Sequence, residues 1–487
     1  MKLGKNPRYS RFATTTLAAT LVLAAFPFSS YAAPTEAQPK TPPQAPPKAQ
    51  ALPPSLPFAD SAFESVWMRN DQLVAAKSVA RSWTWGPAPM AAGLEAYEEA
   101  PDGSKMRLVQ YFDKARMEIN NPRSNPTANG FVTNGLLTVE LISGQMQVGN
   151  SKFITGKPAG INLASDPDDG NAPMYASFGS VANTSAGEKR QPDKSKGGYA
   201  SQRISRTGDV TEDASKTRVA EAKIVYFEKL TGHNIPSVFW DFLNSKAQVR
   251  QGIGTASKPF LDPWVFAMGL PISDAYWANV KIGGKQQEVL IQAFERRVLT
   301  YAPDQPAGWK VQMGNIGQHY FEWRYGPNGK GPEKLPAAQP SLPAYLTIPT
   351  MGVVSKVEHV GVDKNNNMDI PKEAMNVGWF KPGTIPGNPG NSVMDGHLNW
   401  YGIPEAVFFH LDKLKAGDRV YVRDDRGRDR AFVVTKQQVC VWNNCPLMDV
   451  FGPTKQTRLN LITCQGNFDR ATQNYEKRLV VFTEMVP

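Results

Sequence analysis

Three cysteines in 487 residues are too few for a disulfide-stapled scaffold or a multi-cysteine zinc protein. Histidine is scarce as well: there are five, all upstream of the last cysteine. Past residue 33 no apolar run approaches the ~20 residues a membrane-spanning helix needs. Charge of one sign is not in large excess either. The net charge is +10, but residues 1–33 hold four basic and no acidic side chains, so the rest carries +6. That scattered excess describes a solvated basic surface and gives no footprint for nucleic acid. Aromatics are plentiful at 10%, with 11 tryptophans, so the chain can bury cores and global disorder is excluded. Its length suggests two to four domains.

Lys2, Lys5, Arg8 and Arg11 precede an apolar run from Phe12 to Phe28, and Ser30-Tyr31-Ala32-Ala33 places small residues for cleavage after Ala32. This is the layout of a secretory signal at 1–33, either cleaved or kept as an N-terminal anchor. Nine prolines in residues 34–57 make an extended stalk, and five in residues 326–343 make a second linker. Between the linkers lies a region at 58–325, and after them one at 344–487.

The middle region carries a diverged duplication. Leu108 to Lys114 matches Leu290 to Arg296 position by position. Trp83 to Pro87 has a counterpart in Phe266 to Pro271, and Asn134 to Leu137 in Met313 to Ile316. Alternating apolar positions in both blocks predict strands. Asn183 to Gly208 is polar and Gly/Ser/Lys-rich, which predicts a mobile loop. With its phrase Gln-x-Phe-Glu-Arg at Gln292 to Arg296, this region resembles tryptophan-rich modules of bacterial surface proteins. Glu295, Arg296, Arg297 and His233 are either a ligand site or a solvated face with one satisfied histidine.

After residue 344 the pattern is many short strands separated by turns. A strand pair closes at Asp363-Lys364-Asn365-Asn366-Asn367, Phe408 to Leu414 reads as a short helix, and further strands run over 419–423, 459–464 and 478–482. The expected fold class is mainly β, with an all-β barrel here and a β-rich region before it. The charged run Asp424 to Arg430 reads as a hairpin turn in water.

Three polar residues stand at strand ends: His397, Cys464 and Arg478. A thiol attacks as thiolate and needs a basic or cationic neighbour, and a guanidinium can stabilise the oxyanion of acyl transfer. One Cys, one His and one Arg therefore suffice for thiol acyl transfer.

At these residues the region resembles a sortase, the bacterial cysteine transpeptidase of the cell surface, and within that family it is most similar to class F, then class E. The signature is Leu-x-Thr-Cys at Leu461 to Cys464 (with Thr463 before the cysteine), Arg478 opening the next strand, and Gly396-His397 upstream of Phe408-x-x-Leu-x-x-Leu-x-x-Gly-Asp. Asn460 departs from the threonine the family usually carries there. The resemblance implies a closed barrel with Cys464 as nucleophile, His397 as general acid/base and Arg478 as oxyanion stabiliser and substrate clamp. It also implies cleavage of a Leu-Pro-x-Thr-Gly-like sorting signal through a thioester. The partners implied are surface proteins bearing that signal and an envelope amine, with membrane association only through the N-terminus. Asp395 could orient the imidazole or be a turn residue. The family's loop before the nucleophile strand bounds the substrate groove, which predicts a Cys440–Cys445 disulfide stiffening that wall and leaves Cys464 free. Asp363, Asn365, Asn367 and Asp369 alternate as calcium ligands do but lack the closing glutamate, so no cofactor is expected. A surface protein with a decayed barrel is the rival reading. An L,D-transpeptidase would place Ser-His-Gly before the cysteine, and a cysteine peptidase would place a histidine after it.

Overall fold

The computed structural model describes residues 57–184, 187–327, 329–336, 339–364 and 367–486. The signal and nearly all of the first proline-rich segment lie outside these residues. Helix α1 (Ser61–Ala75) opens the described chain. The Asp60 side chain accepts from Ala62 N at 2.9 Å, as a helix N-cap does.

Strands β1 (Ala91–Ala96), β2 (Met106–Phe112), β3 (Ala115–Ile119) and β4 (Thr133–Asn134) form an antiparallel meander, followed by α2 (Leu137–Ser143). The same order recurs in β5 (Pro271–Ile282), β6 (Lys285–Phe294), β7 (Val298–Tyr301) and β8 (Val311–Met313), followed by α3 (Ile316–Tyr325). The two meanders interlock. Val139 N in α2 donates to Glu295 O at the β6–β7 turn (3.3 Å), and Gln318 N in α3 donates to Asp113 O at the β2–β3 turn (3.1 Å). Each helix therefore closes the hairpin of the other half. Gly86 and Gly269 mark equivalent places, with φ of +137° and +73°. A Cβ on either would press on Asp113 or on Glu295, so only glycine lets the chain pass.

The segment expected to be a mobile loop is partly sheet. Gln202–Ile204 pairs parallel with β5, and Trp277 Nε1 donates to Ala200 O at 2.8 Å. Polar composition misled because one tryptophan and the Arg203–Asp213 pair, at 2.7 Å, tether the segment.

The last region is a closed barrel of β9 (Pro343–Ile348), β10 (Val353–Val360), β11 (Val377–Phe380), β12 (Gly390–Gly396), β13 (Arg419–Asp424), β14 (Asp429–Val441), β15 (Thr457–Asp469) and β16 (Asn474–Met485). Their order around the barrel is β9-β10-β11-β12-β15-β16-β14-β13, with β13 pairing back onto β9. Side chains alternate: Leu459 and Leu461 fill the interior with Leu346, Met394, Phe432 and Val481. The opposite face carries Val393, Val480 and Phe482, covered by Val450 of α4 (Leu447–Phe451).

Two local expectations are corrected. The β9–β10 hairpin closes at Pro349–Met351, with Gly352 at φ +67°. Asp363 N donates to Asn367 O (2.8 Å) and Asp369 N to Gly361 O (3.0 Å), so a local turn is present, but β10 pairs parallel with β11 and the turn opens a crossover and joins no barrel strands; Asn365 and Asn366 lie outside the described residues. Within Phe408 to Leu414 only Leu411–Lys413 is helical, as one 3₁₀ turn.

The charged run is only partly in water. Arg423 donates to both oxygens of Asp60 (2.6 and 2.7 Å), Arg430 pairs with Asp424 at 2.9 Å, and Ser61 N donates to Asp429 at 2.8 Å. The first turn of α1 thus docks on the barrel through buried charges. Burial pushes the Asp60 carboxyl up to about 6 although Arg423 opposes the shift.

Candidate active site

Register assembles the site. β12 and β15 run parallel, with Met394 opposite Leu461 and Asp395 opposite Ile462. Thr463 Oγ1 donates to Gly396 O at 2.8 Å, tying the end of β12, after which His397 comes, to the residue before Cys464. Cys464 pairs with Arg478 on β16, and Arg478 with Cys440 on β14. Cys464, Arg478 and Cys440 form one row over three adjacent strands, and His397 follows the end of β12, the next strand. The pleat turns Cys464 and Arg478 to the face that bears Ile462 and Val480, away from Leu461 and Thr463.

His397 Nε2 lies 2.8 Å from the Pro371 carbonyl, which can only accept, so Nε2 carries the hydrogen and Nδ1 is the free nitrogen of the neutral ring. The ring packs against Trp400, with centroids 4.4 Å apart. Among the described residues no hydrogen bond joins His397 to Cys464 or to Asp395. Cys464 is half-buried and free. Burial pushes its thiol up, Arg478 pulls it back, and Asp395 adds to the rise. The Arg478 guanidinium donates to Tyr475 O (3.2 Å), Lys477 O (3.0 Å) and Asn474 Oδ1 (2.5 Å). Its Nε–H and one Nη2–H remain for another acceptor.

Asp395 is a strand residue and not a turn. Burial carries its carboxyl well above the usual carboxylate range; Asp369 and Glu358 add to the shift and Arg478 opposes it. Asn460 is fully buried, and its Nδ2 donates to Val450 O (2.8 Å) and Asn391 Oδ1 (3.2 Å), bolting α4 to β15. Cys440 and Cys445 are disulfide-bonded with Cα atoms 5.1 Å apart, and Val441, Trp442, Leu447 and Met448 stand exposed around the closed loop. Tyr475 OH donates to Asn399 Oδ1 at 2.8 Å, bridging the β15–β16 hairpin to the segment after His397. Sequence reasoning missed Pro371, Trp400, Asn474 and Tyr475, since nothing local ties them to the signature.

A cavity of about 390 Å³ borders Cys464 and is lined by Leu398, Phe408, His410, Thr463 and Leu479. A larger one, about 450 Å³, lies where α1 meets the barrel, away from Cys464. Among the described residues no cluster of three His, Cys, Asp or Glu is arranged to hold a metal. The other candidate set does not converge. Glu295 accepts from Leu270 N (2.9 Å), Arg296 donates to Phe266 O (2.8 Å), Arg297 to Thr84 O, and buried His233 meets Asp274 at 3.3 Å. These residues cap turns and hold strands together.

Residues 346–486 match the family model of the Sortase domain. No curated protein matches the chain. Similar solved structures include sortase C1 from Streptococcus agalactiae, 20% identical, covering 32% of this chain and 72% of that one with a TM-score of 0.25. Sortase C-1 from Actinomyces oris is 25% identical, with coverages of 30% and 71% and a TM-score of 0.24. Sortase A from Corynebacterium diphtheriae is 21% identical, with coverages of 31% and 63% and a TM-score of 0.23. The stretch that matches this model is the eight-stranded barrel, and Cys464 and Arg478 stand on two of its neighbouring strands with His397 just past the end of a third.

Proposed function

We propose that residues 344–487 act as a cysteine transpeptidase nearest to class F, or to class E, of the sortases. The observation that carries this is Cys464 in register with Arg478 on neighbouring strands, with His397 one residue past the end of β12, which pairs parallel with the strand bearing Cys464. Cys464 Sγ attacks the Thr–Gly carbonyl of a Leu-Pro-x-Thr-Gly-like signal, and the two uncommitted N–H groups of Arg478 meet the oxyanion. His397 takes the proton of the attacking thiol and gives it to the leaving amine, and the acyl group stays on sulfur as a thioester. An amine of the cell envelope then attacks, His397 takes its proton, and the thiol is released. The chain is exported by residues 1–33, which are cleaved or kept as an anchor, and residues 34–57 form the stalk. The module at 58–325 and the linker at 326–343 present the barrel at the surface. No helix among the described residues is long and apolar enough to cross a membrane.

Cleavage of a quenched Leu-Pro-x-Thr-Gly peptide with hydroxylamine tests the reading. Full-length protein releases the fluorophore and Cys464→Ala does not; equal signals reject the enzyme. A non-catalytic surface protein with a decayed barrel is the second reading. It is favoured by the raised thiol and by the missing hydrogen bond between His397 and Cys464, and it predicts equal, background signals.

A further inference from the structure

Asp395 stands in register with Gly378 on β11 and with Ile462 on β15. It lies two residues before His397 on β12, so the pleat puts its side chain on the face of Cys464 and Arg478, one step below their row. β11 offers no side chain at this point. A Cβ on Gly378 would lie 2.6 Å from Asp395 Oδ1, so the carboxyl occupies the space a side chain there would fill. Oδ1 is buried and has no hydrogen-bond partner among the described residues.

Four strands and one connection bring ionisable groups to this carboxyl. Glu358 comes from β10, in register with Gly378, and Asp369 from the β10–β11 connection. Arg478 comes from β16, Cys464 from β15, and His397 follows the end of β12. Glu358 is committed as an anion: burial pushes its carboxyl up, but hydrogen bonds from Lys372 N (2.9 Å), Asn376 Nδ2 (2.9 Å) and Glu373 N (3.2 Å) outweigh that and hold it low. A second anion with an orphan oxygen beside Glu358 is costly, and a proton removes the cost.

We propose that Asp395 is a positioning residue of the thiol site: uncharged beneath Gly378, it leaves the Arg478 guanidinium to the oxyanion and puts no negative charge beside the Cys464 sulfur. The inference rests on the reading of Cys464 as nucleophile. When the pH rises and Asp395 loses its proton to solvent, the new carboxylate draws on Arg478 and opposes the thiolate. An ionised Asp395 raises the Cys464 thiol, so removing that charge lowers it.

Asp395→Asn keeps the shape and removes the charge for good. Because Cys440 and Cys445 are bonded to each other, iodoacetamide labels only Cys464 in full-length protein without reductant. The expected result is an alkylation midpoint about half a pH unit or more lower in Asp395→Asn than in the native protein, by loss of a nearby like charge. The alkaline fall of peptide turnover moves to higher pH in the same variant. Asp395→Ser, smaller and equally uncharged, repeats the shift should Asp395→Asn fail to fold. Identical or raised midpoints in the folded variants overturn the proposal. So does a loss of turnover greater than tenfold at every pH in Asp395→Asn, which would make the charged form the working one. Alkylation needs no turnover, so a failure of the transpeptidase reading in the peptide assay is seen separately.

Discussion

Arg423→Met is the sharpest test of how α1 is held on the barrel. The native guanidinium is 2% exposed, bonds both oxygens of Asp60, reaches Asp429 at 3.2 Å and lies 5.0 Å over the Phe131 ring. Methionine fills most of that volume but leaves the Asp60 carboxyl buried without its cation. Removing one partner of a buried pair costs about 3–5 kcal/mol, well beyond the loss expected from packing alone. The pH dependence fixes the cause. In the native protein the Asp60 carboxyl is raised to about 6 from an ordinary value near 3.8. The folded state therefore holds a proton that the unfolded chain has released, and stability falls as the pH rises through that window. Without Arg423 the upward shift grows and the fall steepens, so the variant regains part of its loss between about pH 7 and about pH 4. Urea unfolding of the full chain at several pH values, followed by tryptophan fluorescence, measures both effects. A loss below about 1 kcal/mol at neutral pH, or no recovery on acidification, would refute the reasoning. Adding Asp60→Asn to Arg423→Met should restore most of the stability, since the stranded carboxylate is then gone.

Two further outcomes can be checked beside this one. Replacing Cys440 and Cys445 together by serine opens a loop of about six residues, with an expected loss of about 2 kcal/mol in urea unfolding by chain entropy. Peptide turnover should drop with it, because Cys440 is the cross-strand neighbour of Arg478. Asn460→Ala leaves Val450 O without its donor, so denaturant unfolding should show a loss of about 1–3 kcal/mol.

Local patterning carried much of the barrel. Alternation along 459–464 and 478–482 gave the strands, and the mainly β architecture follows from it. The disulfide expected from the family's loop is present in the structure. The order His, Cys, Arg singled out three residues, but their placement depends on which strands are neighbours, and a β12–β15 parallel pairing across more than sixty residues leaves no local trace. The same blindness explains residues 363–367, where a turn-rich sequence opens a crossover. Gln292 to Arg296 looked like a binding phrase because its polar groups are dense. Their donors go to backbone carbonyls of distant turns, contacts that no window of sequence contains. The clasp between Asp60 and Arg423 joins residues 363 positions apart and is likewise invisible before folding.

The interlocked meanders carry a consequence for how the chain is made. Synthesis delivers the polypeptide from its N-terminus, and the β2–β3 turn waits for Gln318 before its carbonyl at Asp113 is sealed. The first half is thus born incomplete and stays so until nearly two hundred more residues have emerged. Neither half is therefore expected to fold as a stand-alone fragment, and the intervening stretch, which lends Tyr175, Phe178 and Ile204 to the shared core, is bound into the same unit.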